Sequence, residues 1–420
     1  MAGAGWALTI SFAVLAFSWR TSRFTAGRAG RPLPPSVVSL VESRWLRGAV
    51  QAFGLAVAAL LVWAGLFGAD SPANPVLGIF YIYLWVGLVP LSLLLGNIWP
   101  LLSPLRTVHR GLVLLTGSRT GAGLLAYPRW LGYWPAATGL FAFVWTELVN
   151  PRSAYVSTVT AWLLVYAATM LVGAAVFGGT WLERADPFEV WFALVAKVAP
   201  WGRNADGELV VRNPLEGLDT VRADRGLVAV VAVLLGSTAF DSFSASTWWL
   251  SRTAESGGFD PTLRDTLVLV GFCAFVAGSF SAAAMIGTGL RGRPRRWLPT
   301  QLAHSLVPIG VGYVLAHYLT LLLESGQRYL VYLSDPLVTG RHDYLGTLSW
   351  EPVYFLSVRP GLVAGLKVAF VVAGHLAAVV AAHDRAVRLL PPSRAVPGQL
   401  AMLAVMLVYT VGGLLLLFSV

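Results

Sequence analysis

The chain has a single cysteine in 420 residues and little charge, with Asp, Glu, Lys and Arg making up 12% of it. A lone Cys273 excludes an internal disulfide and any cysteine-based zinc or iron–sulfur centre. So few charges exclude the polar skin of a soluble domain, because 56% of the residues are hydrophobic and the mean hydropathy is strongly positive. The Walker, dinucleotide-binding, HExxH and G-x-S-x-G signatures are also missing, which removes the commonest nucleotide, zinc-protease and serine-hydrolase readings. What the chain does have is 17 tryptophans and 43 glycines. Indoles favour the headgroup boundary of a bilayer, and glycines let helices approach closely.

This composition predicts an all-α polytopic membrane bundle, a single transmembrane domain over 1–420. Ten stretches reach the roughly 20 apolar residues a spanning helix needs: 2–19, 47–68, 75–96, 133–150, 155–178, 226–246, 266–290, 300–323, 361–384 and 398–419. The net charge of +10 sorts onto alternate connections. Segments 20–46, 97–132, 179–225, 291–299 and 385–397 hold nearly all the Lys and Arg, including RGRPRR at 291–296. The positive-inside bias makes these cytoplasmic and puts both termini outside. The basic balance is therefore a topology signal, and the bilayer rather than nucleic acid is the expected partner. Residues 2–19 have arginines behind them and none ahead, the wrong polarity for a cleaved signal, so they are read as a span.

Two cytoplasmic connections, 97–132 and 179–225, carry internal order. Ser103-Pro104 and Asp186-Pro187 each place an N-cap residue before a proline at the first helical position. Leu105, Val108, Leu112 and Leu115 follow at helical spacing, as do Phe188, Trp191, Phe192 and Val195, so two short interfacial helices are expected. Their parallel placement suggests a duplicated unit. The segment 325–360 is an extracytoplasmic loop rich in tyrosine, read as a lid or as a passive cap over helix ends.

Ionisable groups inside apolar helices are costly and face a partner or a cavity. Glu147, Asp241 and His317 fall at ~6, ~9 and ~10 Å below the outer boundary by helical rise. They are the candidate acid–base groups, with His317 and Asp241 as metal ligand or base and Glu147 in support. His375 lies near mid-membrane, while His304 and His383 share the inner level. A metal held by Asp241, His317 and His375 would activate water. A haem between His304 and His383 is the alternative cofactor. A proton or ion path from Glu147 and Asp241 down to His383 is a third reading, and plain helix-to-helix hydrogen bonding is a fourth. His304 and His317 are ~20 Å apart along their helix, so they cannot share one ion.

NIWPLLSPLRTV (97–108), YPRWLGYWPAATGLFAFVWTEL (127–148), FDSFS (240–244), LAHSLVPIGVGYVLAHY (302–318), YLSDPL (332–337) and GHLAAVVAAHDRA (374–386) resemble a family of actinobacterial membrane proteins named fenitrothion hydrolase. The resemblance implies a bacterial plasma membrane and hydrolysis of a lipophilic organophosphorus ester. It singles out Asp241, His304, His317, His375 and His383 without assigning them roles. The same residues also suit a transporter or proton-coupled carrier of a small lipophilic substrate, or a haem or metal protein.

Overall fold

The computed structural model describes residues 2–24, 30–115, 123–254 and 260–418. Residues 116–122 of the expected 97–132 connection, and residue 419 of the last expected span, lie outside them. The described chain is almost wholly helical: α1 (Ala2–Ser18), α2 (Pro35–Glu42), α3 (Arg44–Phe67), α4 (Pro75–Leu95), α5 (Trp99–Leu102) and α6 (Pro104–Leu115) come first. Then follow α7 (Trp134–Leu148), α8 (Val156–Phe177), α9 (Gly179–Ala185), α10 (Pro187–Val195), α11 (Pro214–Asp219) and α12 (Leu227–Ser244). The last third holds α13 (Thr247–Ala254), α14 (Pro261–Met285), α15 (Gly292–His317), α16 (Leu321–Tyr332), α17 (Pro360–Leu389) and α18 (Pro397–Leu417).

Every expected span contains a helix, and the chain is a multi-pass membrane protein. Among the described residues seven helices are long and apolar enough to cross a bilayer, and an eighth crossing is α15 with α16, bent by 57°. The two short ones, α1 and α7, have 17 and 15 residues. α4 is π-helical over Ile79–Gly87.

Proximity between helices comes from glycine. At the α15–α17 crossing a Cβ on Gly374 would sit 2.5 Å from the Pro308 carbonyl oxygen, and one on Gly312 would sit 2.4 Å from that of Phe370. The backbones are therefore in contact, the close packing that small residues permit where lipid gives helices no hydrophobic drive to associate. α1 packs against α17 and α18, so the first helix sits beside the last two.

The sequence gives no hint of one element, a small antiparallel sheet at the arginine-rich end. β1 (Arg31–Pro32) pairs with β3 (Leu209–Val211), which pairs with β2 (Trp201–Arg203), with Arg31 opposite Val211 and Trp201 opposite Val211 on the other side. At the other end, 333–359 is tied to α16. Glu324 accepts from the Leu356 and Ser357 amides at 2.8 Å, and Gln327 exchanges two hydrogen bonds with the Val353 backbone.

The two short helices after α4 and α8 depart from the expected surface position to different degrees. α6 is amphipathic, with only Leu105 buried and with Leu112 and Leu115 exposed to the lipid side. α10 is instead sunk in the bundle, with Pro187–Val190, Trp191, Phe192, Leu194 and Val195 all buried. Its apolar residues fill every face of the helix rather than one stripe, and a helix hydrophobic all round belongs inside. Phe188 packs edge-on against Phe143 of α7 and Tyr166 of α8, and Trp191 lies 3.5 Å from a Cβ placed on Gly310 of α15.

The chain reaches both helices in the same way. α4 ends at Gly96 (φ 75°, ψ −153°) and α8 at Gly178 (φ 69°, ψ −162°), a left-handed region that favours glycine. After each glycine the chain turns back into the bundle. The Leu102 carbonyl oxygen lies against Gly54, near the midpoint of α3, and Asp186 bonds Tyr166 at the midpoint of α8. There Ser103-Pro104 and Asp186-Pro187 start α6 and α10. Ser103 and Asp186, Pro104 and Pro187, and Arg106 and Glu189 share one offset of 83 residues, which also superposes the bounds of α4 and α8 to within two residues. Both stretches thus share one layout, a span, a span and a helical hairpin turned back into the bundle, in place of the span, interface helix and span expected to repeat.

Candidate functional site

Asp241, near the end of α12, and His317, the last residue of α15, meet inside the bundle. His317 Nε2 lies 2.8 Å from Asp241 Oδ2, and the Tyr318 hydroxyl donates to the same oxygen at 2.7 Å. Ser242 Oγ is 3.2 Å from His317 Nδ1 and 3.0 Å from the Tyr313 hydroxyl. Tyr313 and His317, one turn apart on α15, stack with ring centroids 6.1 Å apart. Glu147 on α7 lies within charge-interaction range of Asp241, and its Oε2 is buried with no hydrogen-bond partner. Asp241 and His317, expected at one level, are thus in direct contact, with Glu147 within charge-interaction range.

The location of this cluster follows from a break in the chain. α15 stops at His317, and three residues later α16 starts at 57° to it. Ending a helix there frees Tyr318 from the helical direction, so that it and His317 both reach one carboxylate oxygen. A carboxylate, an imidazole and a serine hydroxyl in a row resemble the order of a nucleophilic triad. Ser242 is, however, fully buried and its hydroxyl is shared with Tyr313, so it presents no nucleophile to a substrate. What the row can do is hold and pass a proton: a proton on Asp241 would remove the charge that holds both His317 and Tyr318.

The other histidines do not join it. His375 is buried in α17, its Nδ1 2.8 Å from the Val371 carbonyl oxygen and its Nε2 without a partner. Among the described residues no three His, Cys, Asp or Glu side chains come together to hold a metal, so Asp241, His317 and His375 do not converge. The inner pair is occupied as well. His304 Nδ1 faces the Gln301 carbonyl oxygen at 3.1 Å, and the ring also bonds the Ala381 carbonyl. His383 lies between Gln399 Oε1 at 3.1 Å and the Trp19 carbonyl oxygen at 3.0 Å. Protein oxygens thus take the ring nitrogens that the expected haem pair would need free. Asp384, beside His383, accepts from the Trp19 indole, the Arg23 and Phe24 amides and the Ser22 hydroxyl, which fastens the end of α17 to the segment after α1.

A second polar centre lies where the hairpins meet. Arg106 grips Glu189 with two parallel hydrogen bonds, Nε to Oε2 at 2.6 Å and Nη2 to Oε1. Asp186 caps α10 through the Phe188 and Glu189 amides and accepts from the Tyr166 hydroxyl at 2.9 Å and the Trp99 indole at 3.3 Å. The sequence marks Asp186 only as a helix cap and gives Arg106 and Glu189 no role. The signal available was the repeated cap–proline pair, which marks a helix start but not its depth. At the arginine-rich end Asp219 of α11 takes hydrogen bonds from Arg385 (Nε at 3.0 Å) and Arg388. Burial works to raise this carboxyl, but the two guanidinium groups prevail and hold it below its usual range.

No family model matches the chain, and no solved structure matches it. The tetracenomycin C resistance and export protein of Streptomyces glaucescens is 24% identical to it over 434 residues, covering 89% of this chain and 75% of that protein. The expected likeness to the fenitrothion hydrolases is overturned by this finding. The relative found by comparison is a resistance and export protein. With that likeness goes the organophosphate substrate. A multi-pass membrane bundle with a distant similarity to an export protein is what the comparison supports.

Proposed function

We propose that this protein is an exporter of a small lipophilic molecule and that it couples export to protons at Glu147, Asp241 and His317. The observation that carries the reading is the pair of helical hairpins that turn back into the bundle, whose helix starts meet around Arg106, Asp186 and Glu189. Discontinuous helices in duplicated units are how transporters place polar backbone and side chains at the bilayer midplane. The distant similarity to an export protein supports the same reading.

In this reading Asp241 is the proton carrier, and the joint between α15 and α16 responds to it. When Asp241 is charged, it holds His317 and Tyr318 on either side of the start of the bend. When it is protonated, the charge-assisted bond to His317 is lost and the joint is released. Glu147 supplies a second carboxylate close enough to disfavour simultaneous charge on both.

The test is transport by purified protein in liposomes, with tetracenomycin C and a lipophilic fluorescent dye as probes. Accumulation driven by a pH gradient is expected, falling at least about tenfold in Asp241→Asn, the size of effect expected when an intramembrane proton carrier is removed. Equal rates in empty liposomes and in liposomes with protein, for both probes, would overturn the reading.

A further inference from the structure

The imidazole of His375 has no role in the site described above, yet one of its two nitrogens is buried without a partner. Its ring is almost fully buried. Val371 offers a carbonyl oxygen, which only accepts, so Nδ1 carries the hydrogen and Nε2 is a bare lone pair. That lone pair is buried and has no partner.

Its position lies between polar groups on both sides. Gly312 and Gly374 mark the contact between α15 and α17, so His375 stands at the level of residues 308–312 of α15. His317 is five residues from Gly312, about 7.5 Å along the axis. In the other direction His383 is nine residues from Gly374, about 13 Å, and His304 bonds the Ala381 carbonyl six residues past His375. A chain of hydrogen bonds approaches from the first side: Asp241 to His317 at 2.8 Å, His317 to Ser242 at 3.2 Å and Ser242 to the Tyr313 hydroxyl at 3.0 Å. Tyr313 packs in one cluster with Val371, the residue that orients His375.

We propose that His375 Nε2 is the mid-membrane station of a proton path, joined through water to Tyr313 on one side and to water alone on the His304 side of the ring. The inference rests on the proton coupling proposed above and names the route. A proton arriving from Tyr313 or water bonds to Nε2 and gives an imidazolium, and the same Nε2 proton then leaves to water on the His304 side, with Nδ1 bonded to Val371 throughout. The groups on the elements packed around the ring are compatible with this. α15 offers Tyr313 and His304, and α18 offers Tyr409, which is bonded to the Val276 carbonyl and to Ser279. α1 has no titratable side chain. α11 offers Asp219, held by Arg385 and Arg388 at the far end of α17. His383 and Asp384, further along α17 itself, are engaged by the segment after α1.

The test reads the ring directly. Protein labelled with 15N-histidine is placed in lipid bilayers, and the His375 signals are identified by their loss in His375→Gln. The expected result is one protonated and one bare nitrogen at alkaline pH, with the bare nitrogen receiving magnetisation from water and gaining a proton on acidification. A nitrogen that stays bare and out of contact with water across the range would overturn the proposal. In liposomes His375→Leu and His375→Gln are expected to lower gradient-driven accumulation at least about tenfold, while exchange of probe across the membrane without a gradient persists. Wild-type accumulation in both variants would overturn the path. An absence of exchange in the wild-type protein would count against export alone, because the nitrogen signals do not depend on a substrate.

Discussion

Arg106 and Glu189 hold equivalent places in two hairpins of similar layout, 83 residues apart, and clasp each other inside the bundle. The two equivalent positions thus carry opposite charges at the point where the hairpins touch. A buried pair of this kind contributes little net stability while intact, but removing one partner strands the other.

Arg106→Glu is therefore expected to destabilise the fold by about 3–5 kcal/mol, since it places two carboxylates together away from water. The double variant Arg106→Glu/Glu189→Arg should recover much of the loss. Thermal unfolding in detergent, followed by the reactivity of Cys273, reads both. Equal loss in the single and double variants would show that the contact is not a pair.

The glycine contacts make a second prediction. Gly374→Leu would drive a side chain into the Pro308 carbonyl, and Gly54→Leu into that of Leu102. Each is expected to cost about 1–3 kcal/mol or more, seen as reduced yield of folded protein after extraction. Gly3→Ala and Gly48→Ala, where no neighbour lies within 4 Å, should be silent.

Much of this architecture was legible in the sequence, and the reasons for the rest are physical. Hydropathy located a helix in every expected span because lipid forces each crossing to satisfy its own backbone. The contact of Asp241 with His317 is compatible with the levels expected from helical rise. Depth in a hairpin does not follow from periodicity: Pro187–Val195 reads as an apolar run whether it lies on a membrane or inside a bundle. Nor does a histidine's chemistry follow from its depth. His304 and His383 stand at one level, yet Gln301, Ala381, Gln399 and Trp19 take up their ring nitrogens. Ser242 and Tyr318 carry no signal because hydroxyl side chains are common in membrane helices and have no spacing signature, whereas the one-turn spacing puts Tyr313 on the face of His317.

The arginine-rich end should lose rigidity in acid. Asp219 is held below its usual range, so its contribution is fully present above the ordinary carboxylate value of about 4 and fades as pH falls through the lower folded value. Asp219→Asn is expected to cost about 1–3 kcal/mol at neutral pH and to flatten this acid limb. Melting temperature against pH, wild type beside variant, shows whether the limb belongs to this residue.

Residues 333–359 give a milder test. The Ser334 hydroxyl bonds Asp343, as do nearby backbone amides, and these bonds keep its carboxyl low. Acidification through that value should loosen the loop, and Asp343→Ala should loosen it at neutral pH. Proteolysis at Arg341 reads the change, and transport measured beside it shows whether the loop acts as a gate or only as a cover.

The position of α1 has a consequence for how the molecule is made. Its neighbours are α17 and α18, and its following segment pairs as β1 with β3 and binds Asp384. α1 is therefore made more than three hundred residues before the helices it packs against. Synthesis leaves α1 without these neighbours until α17 and α18 arrive, and its docking is then a late step of assembly. A chain cut before α17 would leave α1 unhoused, a clear mark for quality control.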